Sequence, residues 1–133
     1  MEFIAGMEST ASGLDAQRQR LEAIFQNIAN INTTRTENGG PYRRQNVSFE
    51  NVLNDKGHAL VKTKGTVVDR SPGPLRYEPQ HPHADENGMV QMPNVSMSHE
   101  MVDMLSASRA YEANLSAMKI ARQMVQKTLE MGR

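Results

Sequence analysis

The stretch NVSMSHEMVDMLSASRAYEANLSAMKIARQMVQKTLEMGR, residues 94–133, decides the fold. Met97, Met104, Tyr111, Met118 and Val125 recur every seven residues, and Met101, Leu115 and Leu129 fill positions between them that a helical seam needs. Ser108 and Arg122 interrupt that intermediate row, so the pattern fits either a helix lying along another helix or a long amphipathic helix over a core. Pro93 stops whatever precedes it. Ser98 or Ser96 can cap the helix, with Met97 and Val102 at the spacing of a hydrophobic staple around Ser98. Glu100 and Asp103 early, Lys119, Arg122 and Lys127 late, and Gly132 past the last apolar residue suit the helix dipole and its termination. At about 1.5 Å per residue the helix is a rod of roughly 50 Å, longer than a chain this small can wrap by itself.

A matching pattern occupies residues 3–31. Met7, Leu14, Leu21 and Ile28 recur every seven residues with Phe3, Ile24 and Ile31 beside them, while Glu8, Asp15, Arg18, Arg20 and Glu22 can face water. Gly6 and Gly13 stand among small residues, and each costs a helix about 1 kcal/mol relative to Ala. Close approach of a neighbouring helix would offset that cost; a frayed end would need no offset. Asn27, Asn30 and Asn32, followed by Thr33 and Thr34, mark the exit. Asn accepts left-handed backbone and satisfies orphan carbonyls, so Asn30 and Asn32 read either as a turn or as polar contacts between chains.

Between the helical patterns, roughly residues 33–93 hold all six prolines and most of the glycines. Turn signals at Asn38-Gly39-Gly40-Pro41, Asn54-Asp55-Lys56-Gly57, Ser71-Pro72-Gly73-Pro74 and Glu86-Asn87-Gly88 separate short apolar runs. Tyr42–Phe49, Leu60–Asp69 and Met89–Met92 read as strands, with Gly65 a candidate bulge and Leu75–Tyr77 a short addition; Pro79 to Pro82 reads as loop. The expected class is therefore α+β: long N- and C-terminal helices (1–32 and 94–133) pairing as a coiled-coil-like layer, with a small β-rich insert (33–93) between them.

Composition narrows the function. Fifteen acidic and fifteen basic residues cancel, which leaves no field to gather nucleic acid or an anionic membrane. No apolar run approaches a membrane span, and the start lacks the basic and apolar regions of a cleaved signal, so a soluble chain without direct membrane insertion is expected. With six Phe or Tyr and no Trp the core is modest, and ten methionines suit adaptable seams. Absence of cysteine removes disulfides and thiolate metal sites. The only catalytic temptation is the run from Tyr77 to Glu86, where His81 and His83 would share a face with Asp85 or Glu86 if it were a strand. Prolines flanking His81 argue for a loop, and His58 and His99 stand alone. No nucleophile elbow, phosphate loop or dinucleotide fingerprint is present. We therefore expect no catalytic residues, no metal and no cofactor. The residues describe an assembling structural subunit or, alternatively, a small β binding module or adaptor with dimerising terminal helices.

Several motifs then carry a resemblance. Ala29-Asn30-Ile31-Asn32-Thr33 resembles the N-terminal signature of bacterial flagellar rod and hook axial proteins. Pro41-Tyr42-Arg43, Tyr77-Glu78-Pro79, His81-Pro82, Ala84-Asp85, Met92-Pro93-Asn94-Val95, Ala107 through Asn114 and Lys127-Thr128-Leu129 are similar to its proximal rod branch, whereas Met89 stands where an aromatic is expected. The resemblance implies a structural, non-enzymatic subunit of the proximal rod, which crosses the periplasm from the inner-membrane ring toward the hook. It implies polymerisation around the export channel, torque transmission and delivery by the flagellar type III export apparatus without a cleaved signal peptide. The implied partners are its own copies, other rod proteins, the inner-membrane ring and a rod-adapter protein. Met7, Leu14, Leu21, Ile28, Met101, Met104, Tyr111, Leu115, Met118 and Val125 would form the helical seam of assembly. Asn30, Asn32, Arg109 and Glu112 would make turn or inter-subunit polar contacts.

Overall fold

The computed structural model describes residues 2–132, so positions 1 and 133 of the two expected terminal segments lie outside the described residues. The architecture is the expected α+β one. The first helix, α1, runs Glu2–Ala29; four strands follow, β1 Gln45–Leu53, β2 Ala59–Val68, β3 Leu75–Tyr77 and β4 Met89–Gln91; the second helix, α2, runs Met97–Met131. Strands β1 and β2 form one two-stranded sheet and β3 and β4 another. The second is antiparallel, with Leu75 opposite Gln91, Arg76 opposite Val90 and Tyr77 opposite Met89.

Local chemistry explains the boundaries. Helix α1 leaves through the bonds Ile31 N–H to Ile28 C=O (3.3 Å) and Thr33 N–H to Asn30 C=O (3.0 Å). No residue other than glycine has positive φ among the described residues, so the exit is a tight turn and not a left-handed Asn. Strand β1 begins three residues later than expected because Tyr42–Arg44 are engaged elsewhere: Tyr42 N–H donates to Thr33 C=O, and Arg44 N–H to the Asn94 side chain. It extends instead to Leu53, where the Asn54–His58 turn closes with Asn54 N–H on His58 C=O at 3.0 Å. Gly65 lies inside β2 with φ of 135°, a conformation that side-chained residues rarely adopt. Ser96, and not Ser98, occupies the cap position of α2, its carbonyl accepting from Glu100 N–H at 3.0 Å. Met97 is thus already helical and exposed, as is Val102, and no staple forms between them.

The chain forms two compact units that cut across the three sequence segments. One comprises the described residues up to Leu21, Val47–Gly65 and the described residues from Leu105; the other comprises Glu22–Asn46 and Thr66–Met104. In the first unit Ala16 and Ala107 are the buried hydrophobics. A side-chain carbon on Gly13 would sit 3.2 Å from the Asn114 amide, so glycine there admits α2 closely. The Ser12 hydroxyl accepts from Val61 N–H of β2 at 3.0 Å and donates to Ser9 C=O. The small residues of early α1 are therefore contact surface. Gly6 has nothing within 4 Å of where its side-chain carbon would be.

The second unit holds the larger core: Ile24, Val90, Met92 and Pro93, with Asn27 and Glu100 buried beside them. Gly73 is forced by packing, since a side-chain carbon there would lie 2.2 Å from the Met92 carbonyl oxygen. No helix among the described residues is long and apolar enough to cross a membrane.

Candidate functional site

In the second unit the end of α1, the segment leading into β1 and the first turn of α2 are joined by a polar clasp. Its centre is Asn27, which is buried and uses its whole hydrogen-bonding capacity. Its carbonyl oxygen accepts from Gln45 N–H at 3.0 Å and from the Tyr42 hydroxyl at 2.8 Å. Its amide nitrogen donates to Gln45 C=O at 2.9 Å and to Glu100 Oε2 at 3.3 Å. With a backbone donor and acceptor of one residue both satisfied, Asn27 serves β1 as a strand's peptide group would.

Glu100, 0 % exposed, meets Arg44 Nε at 2.5 Å, and Arg44 also donates to Asp103 Oδ2 at 3.0 Å. The Arg44 backbone continues the network: its N–H donates to Asn94 Oδ1 at 2.7 Å, and its C=O accepts from Asp69 N–H at 2.8 Å. Asn94 returns two bonds, to the Asp69 and Ser71 carbonyls, at 2.9 Å each. Burial opposes the charge of Arg44, but the hydrogen bond it donates to Glu100 and the charges of Glu100, Asp103 and Asp69 outweigh that and raise the guanidinium further. Tyr42 is held in its neutral form, its hydroxyl pushed up by burial and by the Glu100 charge. Among the described residues no buried side-chain nitrogen or oxygen lacks a partner. Satisfied in this way, the clasp ties three chain segments together.

A second tether lies in the other unit. Glu8 Oε2 accepts from Asn54 Nδ2 at 2.9 Å and meets His58 Nδ1 at 2.8 Å, with Lys56 Nζ 4.0 Å from Oε1, which fastens the β1–β2 turn to α1. The His58 bond lowers the Glu8 carboxyl, burial opposes it, and the Lys56 and His58 charges and the Asn54 bond add to the lowering.

The seam residues fall into two groups. Met104, Tyr111, Met118 and Val125 are half-buried on one face of α2, and Met7, Leu14, Leu21 and Ile28 are half-buried on α1. On α2 the places between them belong to Glu100, Ala107, Asn114 and Ala121, completing alternating steps of four and three. Met101 and Leu115, expected in that row, lie one residue further on and are 53 % and 37 % exposed, as is Leu129 beside them. At the inner places Asn114 lies close against Gly13, and Glu100 is paired with Arg44 and Asn27. The larger apolar residues are exposed on two flanks of that seam, Met101, Leu105, Leu115 and Leu129 on one and Ile120 and Met124 on the other.

Asn30 sits in the turn after α1, its amide donating to Gln26 C=O at 2.8 Å and its carbonyl accepting from the Thr33 hydroxyl at 3.1 Å. Asn32, Arg109 and Glu112 are exposed, and no ion pair joins the last two. His81 and His83 occupy a turn: His81 Nδ1 accepts from His83 N–H at 3.0 Å, and His83 Nδ1 meets the Thr34 hydroxyl at 2.6 Å. No cluster of three metal-binding side chains occurs among the described residues. Sequence reading missed Arg44, Glu100 and Asn94 as a network, and His58 as a tether. The available signal was a buried-face acid, Glu100, at a helical seam position, which demands a cationic partner.

Comparison with known proteins supplies the context. Residues 7–35 match the family model described as flagella basal body rod protein, and residues 86–131 match that described as flagellar basal body rod FlgEFG protein C-terminal. The chain is 39 % identical to the flagellar basal-body rod protein FlgC of Borreliella burgdorferi, covering 97 % of each. It is 41 % identical to the FlgC of Bacillus subtilis over the whole of both chains, and 39 % identical to that of Escherichia coli O6:H1 over 99 % of each.

Proposed function

The chain belongs to the FlgC family of flagellar basal-body rod proteins and is a structural rod subunit of the basal body; from that premise we propose that it forms part of the proximal rod. In this reading it polymerises with its own copies and with other rod proteins around the export channel, and carries torque from the motor toward the hook. It reaches the periplasm-crossing rod through the flagellar type III export apparatus, and its neighbours at the base are the inner-membrane ring and a rod-adapter protein. The role is non-enzymatic.

The observation that carries the assembly reading is the exposed apolar residues of α2, Met101, Leu105, Leu115 and Leu129 on one flank of the inner seam and Ile120 and Met124 on the other. Large apolar side chains left exposed in such number on one helix mark a protein interface. Met7, Leu14, Leu21 and Ile28 with Met104, Tyr111, Met118 and Val125 form the seam within the helical layer, and the exposed flanks, with Met101 and Leu115 on one of them, meet neighbours. Asn30, Asn32, Arg109 and Glu112 add polar contacts. An exposed Arg–Glu pair is worth about 0–1 kcal/mol, so torque rests on helix packing. The alternative of a soluble adaptor has less support, because the relatives named as rod proteins match nearly the full chain.

The test is Leu115→Asp. Its side chain points outward, so the purified variant should keep its circular dichroism while the strain carrying it is non-motile and its basal bodies lack an assembled rod. A motile strain would overturn the assembly reading.

A further inference from the structure

The connection between β3 and β4, residues 78–88, is folded around two imidazoles. His83 N–H donates to His81 Nδ1 at 3.0 Å, and His83 Nδ1 meets the Thr34 hydroxyl at 2.6 Å. One ring thus closes the turn, and the other fastens it to the segment after α1. Both rings are half-buried and stand 5.3 Å apart. A backbone N–H can only donate, so His81 Nδ1 carries no proton, and this bond exists for the neutral imidazole alone. The charges that act on His83 are those of Arg35, in the segment it is fastened to, and of His81. The carboxylates of the turn are engaged elsewhere or face water: Glu78 pairs with Arg76 at 3.4 Å, Asp85 Oδ1 accepts from Asn87 and Met89 N–H at 2.9 Å each, and Glu86 is exposed. Burial, then the Arg35 and His81 charges, hold the His83 imidazole below its ordinary value of 6.5. A group lowered on folding favours the docked form above its ordinary value and ceases to as pH falls through the lowered one.

We propose that the His81–His83 turn is an acid-released latch, in which protonation detaches the β3–β4 connection from Thr34 and Arg35 and leaves the clasp and the β3–β4 pairing in place. The device belongs to the second unit alone and does not depend on the rod reading. When His81 Nδ1 gains a proton it becomes a donor facing a donor, and the bond from His83 N–H is lost. A cation then stands 5.3 Å from a ring already under the charge of Arg35, and withdrawal of the turn from that segment relieves the repulsion. The hydrogen bonds and ion pairs of the clasp contain no histidine. The base of the β3–β4 hairpin is closed by Glu78 N–H on Gly88 C=O at 2.9 Å, a backbone bond that no imidazole shares. His58 responds in the opposite sense. Its Nδ1 faces the Glu8 carboxylate, which only accepts, so protonation keeps that bond and adds attraction between charges. Acid therefore opens the turn in one unit and not the tether in the other.

The experiment follows the full-length purified chain by NMR at about pH 7.5 and about pH 5, which bracket histidine titration. Amide exchange is expressed as protection relative to an unstructured chain at the same pH. The His83 amide should lose roughly tenfold or more of its protection on acidification, while the Gln45 amide in the clasp and the Glu78 amide at the hairpin base keep theirs. The nuclear Overhauser contact between the Thr34 and His83 side chains should vanish over the same pH interval. The variant His81→Asn supplies an acceptor for the N–H two residues on but does not titrate, so it should protect His83 equally at both pH values. Unchanged protection of His83 in the original chain would overturn the proposal, as would persistence of the Thr34 contact at the lower pH. Equal loss at Gln45 and Glu78 would overturn it too, by showing general unfolding, and so would an undiminished acid response in the variant. The measurements on the original chain decide the matter without the variant, so a poorly folded variant leaves the test intact.

Discussion

Replacing Arg44 by Met should cost the second unit a large part of its stability. The substitution keeps volume and leaves the backbone bonds to Asn94 and Asp69 intact, but strands the Glu100 carboxylate, which is fully buried. Breaking a buried pair in this way costs about 3–5 kcal/mol. Arg44 keeps 19 % of its side chain exposed and shares Asp103, which places the expected loss near the lower end, about 3 kcal/mol. At roughly 0.05–0.15 kcal/mol per residue, a unit built from Glu22–Asn46 and Thr66–Met104 holds only about 3–10 kcal/mol in total. The variant should therefore lose between about a third and all of that unit's stability. Glu100→Leu alone should also destabilise, by leaving the guanidinium with Asp103 only. The double variant, Arg44→Met with Glu100→Leu, should return to within about 1–2 kcal/mol of the original chain, because an apolar pair of similar volume replaces a desolvated ionic one. Urea unfolding by circular dichroism, with amide exchange of β3 and β4 as a local probe, measures all three. A single variant within about 1 kcal/mol of the original, or a double variant no better than the singles, would refute the claim that this ion pair is buried and mutually dependent.

Two further predictions follow from local geometry. Gly6→Ala should raise α1 stability by about 0.5–1 kcal/mol, since nothing lies near the added carbon, whereas Gly13→Leu should weaken the first unit because it drives into Asn114; thermal melts compare them, and equal effects would refute the close approach at Gly13. Tyr42, raised by burial and Glu100, contributes stability that is complete below its ordinary value of 10.0 and is lost as pH rises through the raised folded value; Tyr42→Phe should remove that alkaline loss while giving up one bond to Asn27, and an unchanged alkaline limb in stability against pH would contradict it.

The helices were legible because a seven-residue recurrence survives any tertiary context: Met104, Tyr111, Met118 and Val125 fall on one face as expected. What misled was the intermediate row. Hydrophobicity favours Met101 and Leu115, one residue beyond Glu100 and Asn114, and only the arrival of Arg44, Asn27 and Gly13 from distant segments makes the smaller and polar residues the inner ones. The insert was legible at its turns, where Gly39, Gly57 and Gly88 all have positive φ. It was not legible at the start of β1, because strand propensity cannot register that an asparagine eighteen positions earlier will occupy the Gln45 backbone. Clasps of this kind are long-range by nature, and their members look unremarkable in isolation.

The polar places on the α2 seam also determine which alignments of the chain are excluded. Slide α2 by one heptad and the position opposite Asn27 passes from Glu100 to an alanine, Ala107, while Arg44 is left without its buried partner. In the other unit Ala107 or Ala121 would replace Asn114 against Gly13. Methionine, tyrosine and valine at the remaining seam positions would tolerate that shift, since apolar contacts have no preferred partner. A seam made only of such residues would hold its helices together at several interchangeable registers. One buried acid makes the offsets unequal, so the chain enters assembly with a single ruler already set.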